Sequence, residues 1–260
     1  MSNSLILEKH GHVAVLTLNR PDKLNAIDSE MREVFTRVLH QVQDDDDIRA
    51  LIITGAGRGF CSGADISARP TDEKTTSTRQ EKLALVGEFI QGFERVNKPV
   101  IAAVNGVAAG IGLTIALACD VRIAAFEARF CAIWVKRGLI ADGGATLLLP
   151  MIVGLEKALE LSMTGDMVGA SEAERIRLVS RVVPGNELMG HATALALKMA
   201  SMPPISVELV KRVMLEKIRL QLREQILLET YAQNVCRDTG DQKEAVRAFV
   251  EKRGPVFKGE

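Results

Sequence analysis

Apolar and polar residues alternate through HVAVLTLNR, residues 12–20. That period of two predicts a half-buried strand, ended by Pro21, which has no N–H for a ladder. In SEMREVFTRVLHQVQDD the apolar residues recur every three or four positions and predict a helix whose N-cap is Asp28 or Ser29. IRALIITG reads as the next strand, and the run Asp44 to Asp47 before it as a solvated helix end. The block ARPTDEKTTSTRQEK has almost no apolar residue and reads as a mobile surface loop. A helix (LALVGEFIQGFERV), a strand (PVIAAVN), a Gly/Ala-rich helix entry and another strand (DVRIAA) follow. Strands alternating with helices predict an α/β fold with parallel pairing. After Ala170 the pattern becomes helical, with MGHATALALKMASM separated from ISVELVKRVMLEKIRLQLREQILLETYAQNVC by Pro203 and Pro204. The expected organisation is an α/β core over residues 1–195 followed by a helical region over 196–260.

With 260 residues, 47% of them hydrophobic and 25% charged, the chain can bury a sizeable core. Lys plus Arg number 33, as do Asp plus Glu, so no global field draws it to nucleic acid or to an anionic membrane. No apolar run approaches the roughly 20 residues that span a bilayer, and MSNSLILEKHGH lacks the basic start of an export signal. A cytoplasmic protein is expected, with no membrane partner. Cys61, Cys119, Cys131 and Cys236 show no CxxC spacing, and His10, His12, His40 and His191 no HxxxH pair. Free thiols and no metal site are expected.

Two small-residue stretches interrupt this ordinary pattern. VNGVAAGIGLTIALACD, from Val104 to Asp120, leads from a strand into a helix with no charge between; GAGRGFCSGADI, from Gly55 to Ile66, also follows a strand. Unpaired N–H groups at such helix entries point outward and favour an anion or a developing oxyanion. GIGLTI lacks the third glycine of GxGxxG, and GxxxxGK[ST] occurs nowhere. Close packing and an oxyanion site both remain open.

RPDKLNAID, GRGFCSGADI, KPVIAAVNGVAAGIGLTIALACD, FEARFCAIWVKRGLIADGGATLLLPMIVG, ALELSMTGDMVGASEAERIRLVSRVV and AFVEKRGPVF resemble the enoyl-CoA hydratase/isomerase (crotonase) family, in consistent order over essentially the whole chain. The resemblance implies a spiral of ββα repeats with a C-terminal helical trimerisation region, assembled as a homotrimer or homohexamer. It implies an acyl-CoA substrate, with coenzyme A entering as part of that substrate and no separate cofactor. The thioester oxygen would be held by the N–H groups of Ala64 and Ile111, beside Gly110. Lys23 would lie near the CoA phosphates, with Ser62, Asp65 and Ile66 beside the adenine. Phe249 and Lys252 of a neighbouring subunit would help close the CoA site. Ile111 stands where the family usually has glycine, so the pocket there should be tighter.

The family's hydratases use two glutamates, because adding water needs a base for the water and an acid for C2. The matching positions here are Thr114 and Trp134, so ordinary hydration is not expected. Asp142 remains, where the resemblance places the acid of dienoyl-CoA and phenylacetate-pathway isomerases, and a double-bond isomerisation with Asp142 as proton shuttle is the leading expectation. Asp142 could equally cap the helix that begins at GGATLLL. Thr114 has two uses open, orienting a water or ligand, or bonding its own i−4 carbonyl. Trp134, eight residues before Asp142, is a core filler or, as in the family's aryl-CoA dehalogenases, orients an aspartate nucleophile; the same aspartate could serve thioester hydrolysis. Those dehalogenases carry an aromatic box with a histidine where this chain has only Phe89 and Phe93. A binding role, to RNA for instance, would use a basic stripe such as KRVMLEKIRLQLR, whose charges are expected on the solvent face of an oligomerisation helix.

Overall fold

Successive turns of the chain lay down one strand in each of two sheets. The computed structural model describes residues 4–65 and 87–260. The first half contains β1 (Leu5–His10), β2 (Val13–Leu18), α1 (Ser29–Asp44), β3 (Ala50–Gly55), β4 (Gly59–Cys61), β5 (Val100–Val104), β6 (Val107–Ala109), α2 (Ile111–Ala118), β7 (Val121–Ala125) and β8 (Arg129–Cys131). The second half contains α3 (Ala145–Val153), α4 (Leu155–Thr164), β9 (Met167–Gly169), α5 (Ala170–Arg175), β10 (Arg181–Val183), α6 (Leu188–Ala200), α7 (Pro204–Arg237) and α8 (Gly240–Val250). The larger sheet runs β1-β2-β3-β5-β7-β10, and the smaller β4-β6-β8-β9. The consecutive pairs β3/β4, β5/β6 and β7/β8 thus divide between the sheets, which is the ββα spiral. All pairing from β2 to β10 in the larger sheet is parallel, and β1 closes its edge antiparallel to β2.

Buried strands set the core. The period of two in β3 sends Leu51 and Ile53 into the main core, and Ala50 and Ile52 to the other face beneath α6. There Leu188, Ala192, Ala196 and Ala200 of α6 pack on the sheet, and the three alanines let the helix lie close. On the main face, α1 buries Met31, Phe35, Leu39 and Val42, each contributing about 1.5–3 kcal/mol by leaving water. Its N-cap is Asp28, whose Oδ1 accepts from Met31 N at 2.8 Å. Its C-terminal end is capped by the buried Lys98, which donates to the Val42 and Asp45 carbonyls at 2.9 and 2.7 Å. The aspartate run beyond is largely solvated, as expected, and Lys9 bridges Asp45 and Asp47 at the surface at 3.0 and 3.1 Å.

Several elements depart from the sequence reading. Among the described residues of the helix expected before β5, Glu88–Arg95 forms a 3-10 helix, with Phe89 and Phe93 packed on Phe35 at centroid distances of 5.6 and 5.7 Å. β1 has no alternating pattern because it is an edge strand with one buried residue, placed by pairing to β2. The smaller sheet uses strands of three residues, too short to show a period. The expected loop from Arg69 to Lys82 lies outside the described residues.

Pro204 starts α7 at its first turn, where a missing N–H costs nothing. Its basic residues are not confined to the solvent face. Lys211 pairs with Asp120 at 2.8 Å, Arg219 donates to Asn97 Oδ1 and the Val96 carbonyl, and Arg223 pairs with Glu94. Further along, Leu222, Ile226, Glu229, Thr230 and Gln233 are buried, so the C-terminal half of this helix belongs to the core's packing. No described helix is long and apolar enough to cross a membrane.

Gly112 fixes how closely α2 can lie on β4. A Cβ there would stand 2.1 Å from the Cys61 carbonyl oxygen, and backbone cannot swing aside as a side chain can. Gly112→Ala should lower stability by about 2 kcal/mol through overpacking. Gly190→Ala, inside α6 with nothing within 4 Å, should instead raise it by about 0.5–1 kcal/mol. Urea midpoints at constant m-value check both signs.

Candidate active site

Residues 20–28 and 62–65 are tied together by side chains. Arg20 donates to Asp65 Oδ2 at 2.8 Å and to the Ala26 carbonyl at 2.6 Å. The buried Asn25 amide donates to the carbonyls of Ala56 and Gly59 and accepts from Arg20 N. Asn105 binds the same turn from the other side, at the carbonyls of Gly55, Gly57 and Gly59. A parallel bridge then forms between Ile27 and Ala64, with Ile27 N on the Gly63 carbonyl at 2.8 Å and Asp65 N on the Ile27 carbonyl at 2.9 Å. In such a bridge the N–H of Ala64 points away from Ile27.

Beside this bridge α2 begins. Gly110 adopts φ 53 and ψ −129, donates its N–H to the Cys131 carbonyl, and accepts from Thr114 N. A Cβ on Gly110 would lie 3.8 Å from Gly63 Cα, so the two segments run side by side. The next residue in each is Ala64 and Ile111, and neither N–H has a backbone acceptor among the described residues. Ile111 turns its side chain to the loop at Gly143, where a Cβ would meet its Cδ1 at 2.9 Å. Cys61, next to this bridge, is buried, and burial pushes its thiol up to about 12, so it is no nucleophile.

Asp142 lies on that loop, between the 3-10 turn Ile133–Arg137 and α3. Its Oδ1 accepts from Trp134 Nε1 at 3.1 Å, and its Oδ2 from Gln233 Nε2 at 3.0 Å. Thr114, fully buried, donates its hydroxyl to the Asp142 carbonyl at 3.1 Å. It therefore bonds neither its own i−4 carbonyl nor, through that proton, a ligand. Of the two positions at which the family resemblance places glutamates, Trp134 donates to the Asp142 carboxylate and Thr114 to the backbone carbonyl of the same residue.

Asp142 does not cap α3. That role falls to Glu229 of α7, whose carboxylate accepts from Gly144 N at 2.7 Å, Thr146 N at 2.9 Å and the Thr146 hydroxyl at 2.5 Å. Gln225, one turn earlier, donates to the same hydroxyl at 2.8 Å. The carboxylate of Asp142 is thereby released from the helix end.

Burial pushes Asp142 above the usual carboxylate range, while the Trp134 and Gln233 donors, then the charges of Arg32 and Arg237, pull it back. Trp134 thus desolvates the site yet stabilises the anion. Glu229 is also pushed up by burial, opposed by its bonds to Thr146 and Gly144 and reinforced by the nearby Asp142 charge. Part of Asp142 stays exposed. An indole N–H can only donate, so this site asks the side chain at 142 for acceptors on both atoms, which a carboxylate supplies and an amide does not.

The residues expected around CoA form two further groups. Ser62 Oγ donates to the Lys23 carbonyl at 3.2 Å, so Ser62, Asp65 and the exposed Lys23 lie along one edge next to Ala64. The N–H groups of Ser62 and Asp65 already serve the Leu24 and Ile27 carbonyls. Ile66 lies outside the described residues. Phe249 and Lys252 sit at the end of α8; the Phe249 ring lies 4.0 Å beneath the Arg137 guanidinium of the same chain, and Lys252 is exposed. Gln233, Glu229, Arg20, Asn25 and Asn105 escaped sequence reasoning. Polar residues at 225, 229 and 233, one helical turn apart among mainly apolar neighbours, were the available signal for the first two.

Comparison with known proteins bears on the family and the fold. The family model described as enoyl-CoA hydratase/isomerase matches residues 8–260. The chain is 39% identical over 253 residues to a short-chain-enoyl-CoA hydratase of Clostridium acetobutylicum, covering 96% of each. It is also 39% identical over 251 residues to a 1,2-epoxyphenylacetyl-CoA isomerase of Escherichia coli, covering 95% of each. Among solved structures, an enoyl-CoA hydratase/isomerase from Pseudoalteromonas atlantica superposes with a TM-score of 0.87 at 32% identity, over 98% of this chain and 100% of that one. On sequence and fold together, the chain belongs to the enoyl-CoA hydratase/isomerase family.

Proposed function

We propose that the protein moves a double bond along an enoyl-CoA, with Asp142 as the proton shuttle and the N–H groups of Ala64 and Ile111 as the oxyanion donors. The observation that carries this reading is the fate of the two glutamate positions. Thr114 and Trp134 both bond Asp142, so a single carboxylate serves the reacting carbons. Hydration needs two acid–base groups working on different atoms; isomerisation needs one that takes a proton and gives it back. In the proposed reaction Asp142 removes a proton from C2, and the electron pair moves into the thioester carbonyl to give an enolate. The adjacent N–H groups stabilise that oxyanion without reorganising. Asp142 then delivers its proton to C4, and the double bond comes to rest between C2 and C3. An assembly of several chains is proposed on the family resemblance alone, as are the CoA contacts of Lys23, Ser62, Asp65, Ile66, Phe249 and Lys252.

A second reading draws on the Trp134 Nε1 bond to Asp142 Oδ1 at 3.1 Å, which would orient the carboxylate as a nucleophile on an aryl-CoA ring. Against it, Phe89 and Phe93 are spent on Phe35, and the described histidines lie outside the contacts of Asp142.

Incubation with 3-enoyl-CoA, 2-enoyl-CoA and 4-chlorobenzoyl-CoA separates the readings. Wild-type protein should interconvert the enoyl-CoA isomers with little hydration, and Asp142→Asn should lower kcat about a thousandfold. Undiminished turnover in that variant removes Asp142 from the mechanism, and halide release selects the nucleophile.

A base acts only when ionised, so kcat/KM should fall on acidification with a midpoint above the usual aspartate range, following the upward shift at Asp142. Trp134→Phe removes a donor that favours the anion and should raise the midpoint further, by roughly one unit. A midpoint that stays or falls contradicts the assignment.

A further inference from the structure

We infer that Gln233 is a positioning residue for Asp142: its side-chain amide, locked by the Ile140 N–H, presents a donor to Oδ2 and makes the C-terminal helical region part of the acid–base machinery. The kinetic arm of this inference rests on the proposed isomerisation; the structural arm does not.

The locking follows from donor and acceptor inventory. Ile140 N can only donate, and it reaches Gln233 Oε1 at 3.1 Å. The amide oxygen is therefore committed, and Nε2 must face Asp142 Oδ2, at 3.0 Å. Gln233 is 1% exposed, so no water competes for either contact. It also grips the loop at two points two residues apart, Ile140 by its backbone and Asp142 by its side chain. Glu229, one turn earlier on α7, grips the next residues at Gly144 and Thr146. One helix face therefore holds the loop from 140 to 146 and aims its carboxylate.

The residue type matters as much as the contact. Leucine at 233 would fill the space and leave Ile140 N unpaired. Glutamate would accept from Ile140 N and turn a second acceptor on Asp142, so the pair would have to share a proton. Glutamine alone among similarly sized side chains accepts at one end and donates at the other without adding charge. Among the described residues, the other groups that bear on Asp142 are Trp134 from the 3-10 turn, Arg32 from α1, and Glu229 and Arg237 from α7. Of these, only Trp134 shares with Gln233 a side-chain hydrogen bond to the carboxylate.

Trp134 is the chain's single tryptophan, so its indole 15N–1H signal reports the charge on Asp142 without substrate and without overlap. In ligand-free wild-type protein, the indole and the Gln233 side-chain amide signals should titrate with one shared midpoint above the usual aspartate range; separate midpoints overturn the inference. Gln233→Leu should raise the indole midpoint by about one to two pH units. The acid limb of kcat/KM for 3-enoyl-CoA should move by the same amount, giving roughly a ten- to hundredfold loss on that limb and a change of no more than a few-fold on the alkaline plateau. Gln233→Glu, nearly isosteric and able to keep the Ile140 bond, should raise the midpoint further. If both variants fold and lose activity equally at every pH, with the indole midpoint unmoved, Gln233 is only structural. If the indole midpoint moves while even wild-type protein fails to turn over 3-enoyl-CoA, the proposed reaction falls and the positioning role stands.

Discussion

The site depends on one carboxylate kept between two obligatory donors in a desolvated place. Desolvation alone would neutralise Asp142, and two donors alone would make it an inert, strongly acidic group. Trp134 and Gln233 offset the burial, leaving the group above its ordinary range yet with both oxygens oriented. The donors come from different segments, one from the turn after β8, eight residues before Asp142, and the other from α7, 91 residues after it. The balance therefore exists only in the folded chain. It also requires Glu229, since without another group at the N-terminus of α3 the nearest carboxylate to satisfy those N–H groups would be Asp142 itself.

The backbone half of the site has a comparable logic. The spiral places the exit of β4 and the start of α2 next to each other, because β4 and β6 pair in the smaller sheet and α2 leaves directly from β6. Gly112 allows that helix to press on the Cys61 carbonyl, and Gly63 and Gly110 allow the two chains to pass closely. The small, uncharged residues that stood out in the sequence are there for approach of backbone to backbone. The N–H groups at Ala64 and Ile111 are what this approach leaves over. Close packing and the proposed oxyanion site are thus compatible, since the close approach leaves these two N–H groups without a backbone acceptor among the described residues.

Legibility in the sequence followed range. Features decided within one turn of helix or one strand could be read: the Asp28 cap, the apolar face of α1, the proline that opens α7, the alternation that fixed an α/β fold. Features decided by partners far along the chain could not. The cap of α3 looked like Asp142 because it is adjacent in sequence, yet the carboxylate that performs it is 83 to 85 residues away. Thr114 offered one local use, its own i−4 carbonyl, and one on a water or ligand, and took a third, on a carbonyl 28 residues on. β1 carries no pattern because its outer face is wet, and the three-residue strands of the smaller sheet are held by neighbours rather than by propensity. The basic residues of α7 looked like a solvent face, but Lys211, Arg219 and Arg223 find acceptors on the 94–98 segment and Asp120, which no helical periodicity could disclose.

Overall similarity does not choose between hydration and isomerisation, because the chain is 39% identical to a protein named for each. The family and the fold are shared by relatives of both names, so they carry identity without carrying outcome. The outcome turns on how many proton-transferring groups reach the carbons, and in what order they can act. A threonine and a tryptophan, one fixing the backbone of Asp142 and the other its carboxylate, leave no second group to activate water among the contacts of Asp142. A lone base that cannot hand its proton elsewhere must return it to the substrate, and on a conjugated enolate the carbon that differs from the donor is C4. The chemistry proposed for this chain follows from that subtraction more than from any residue it adds.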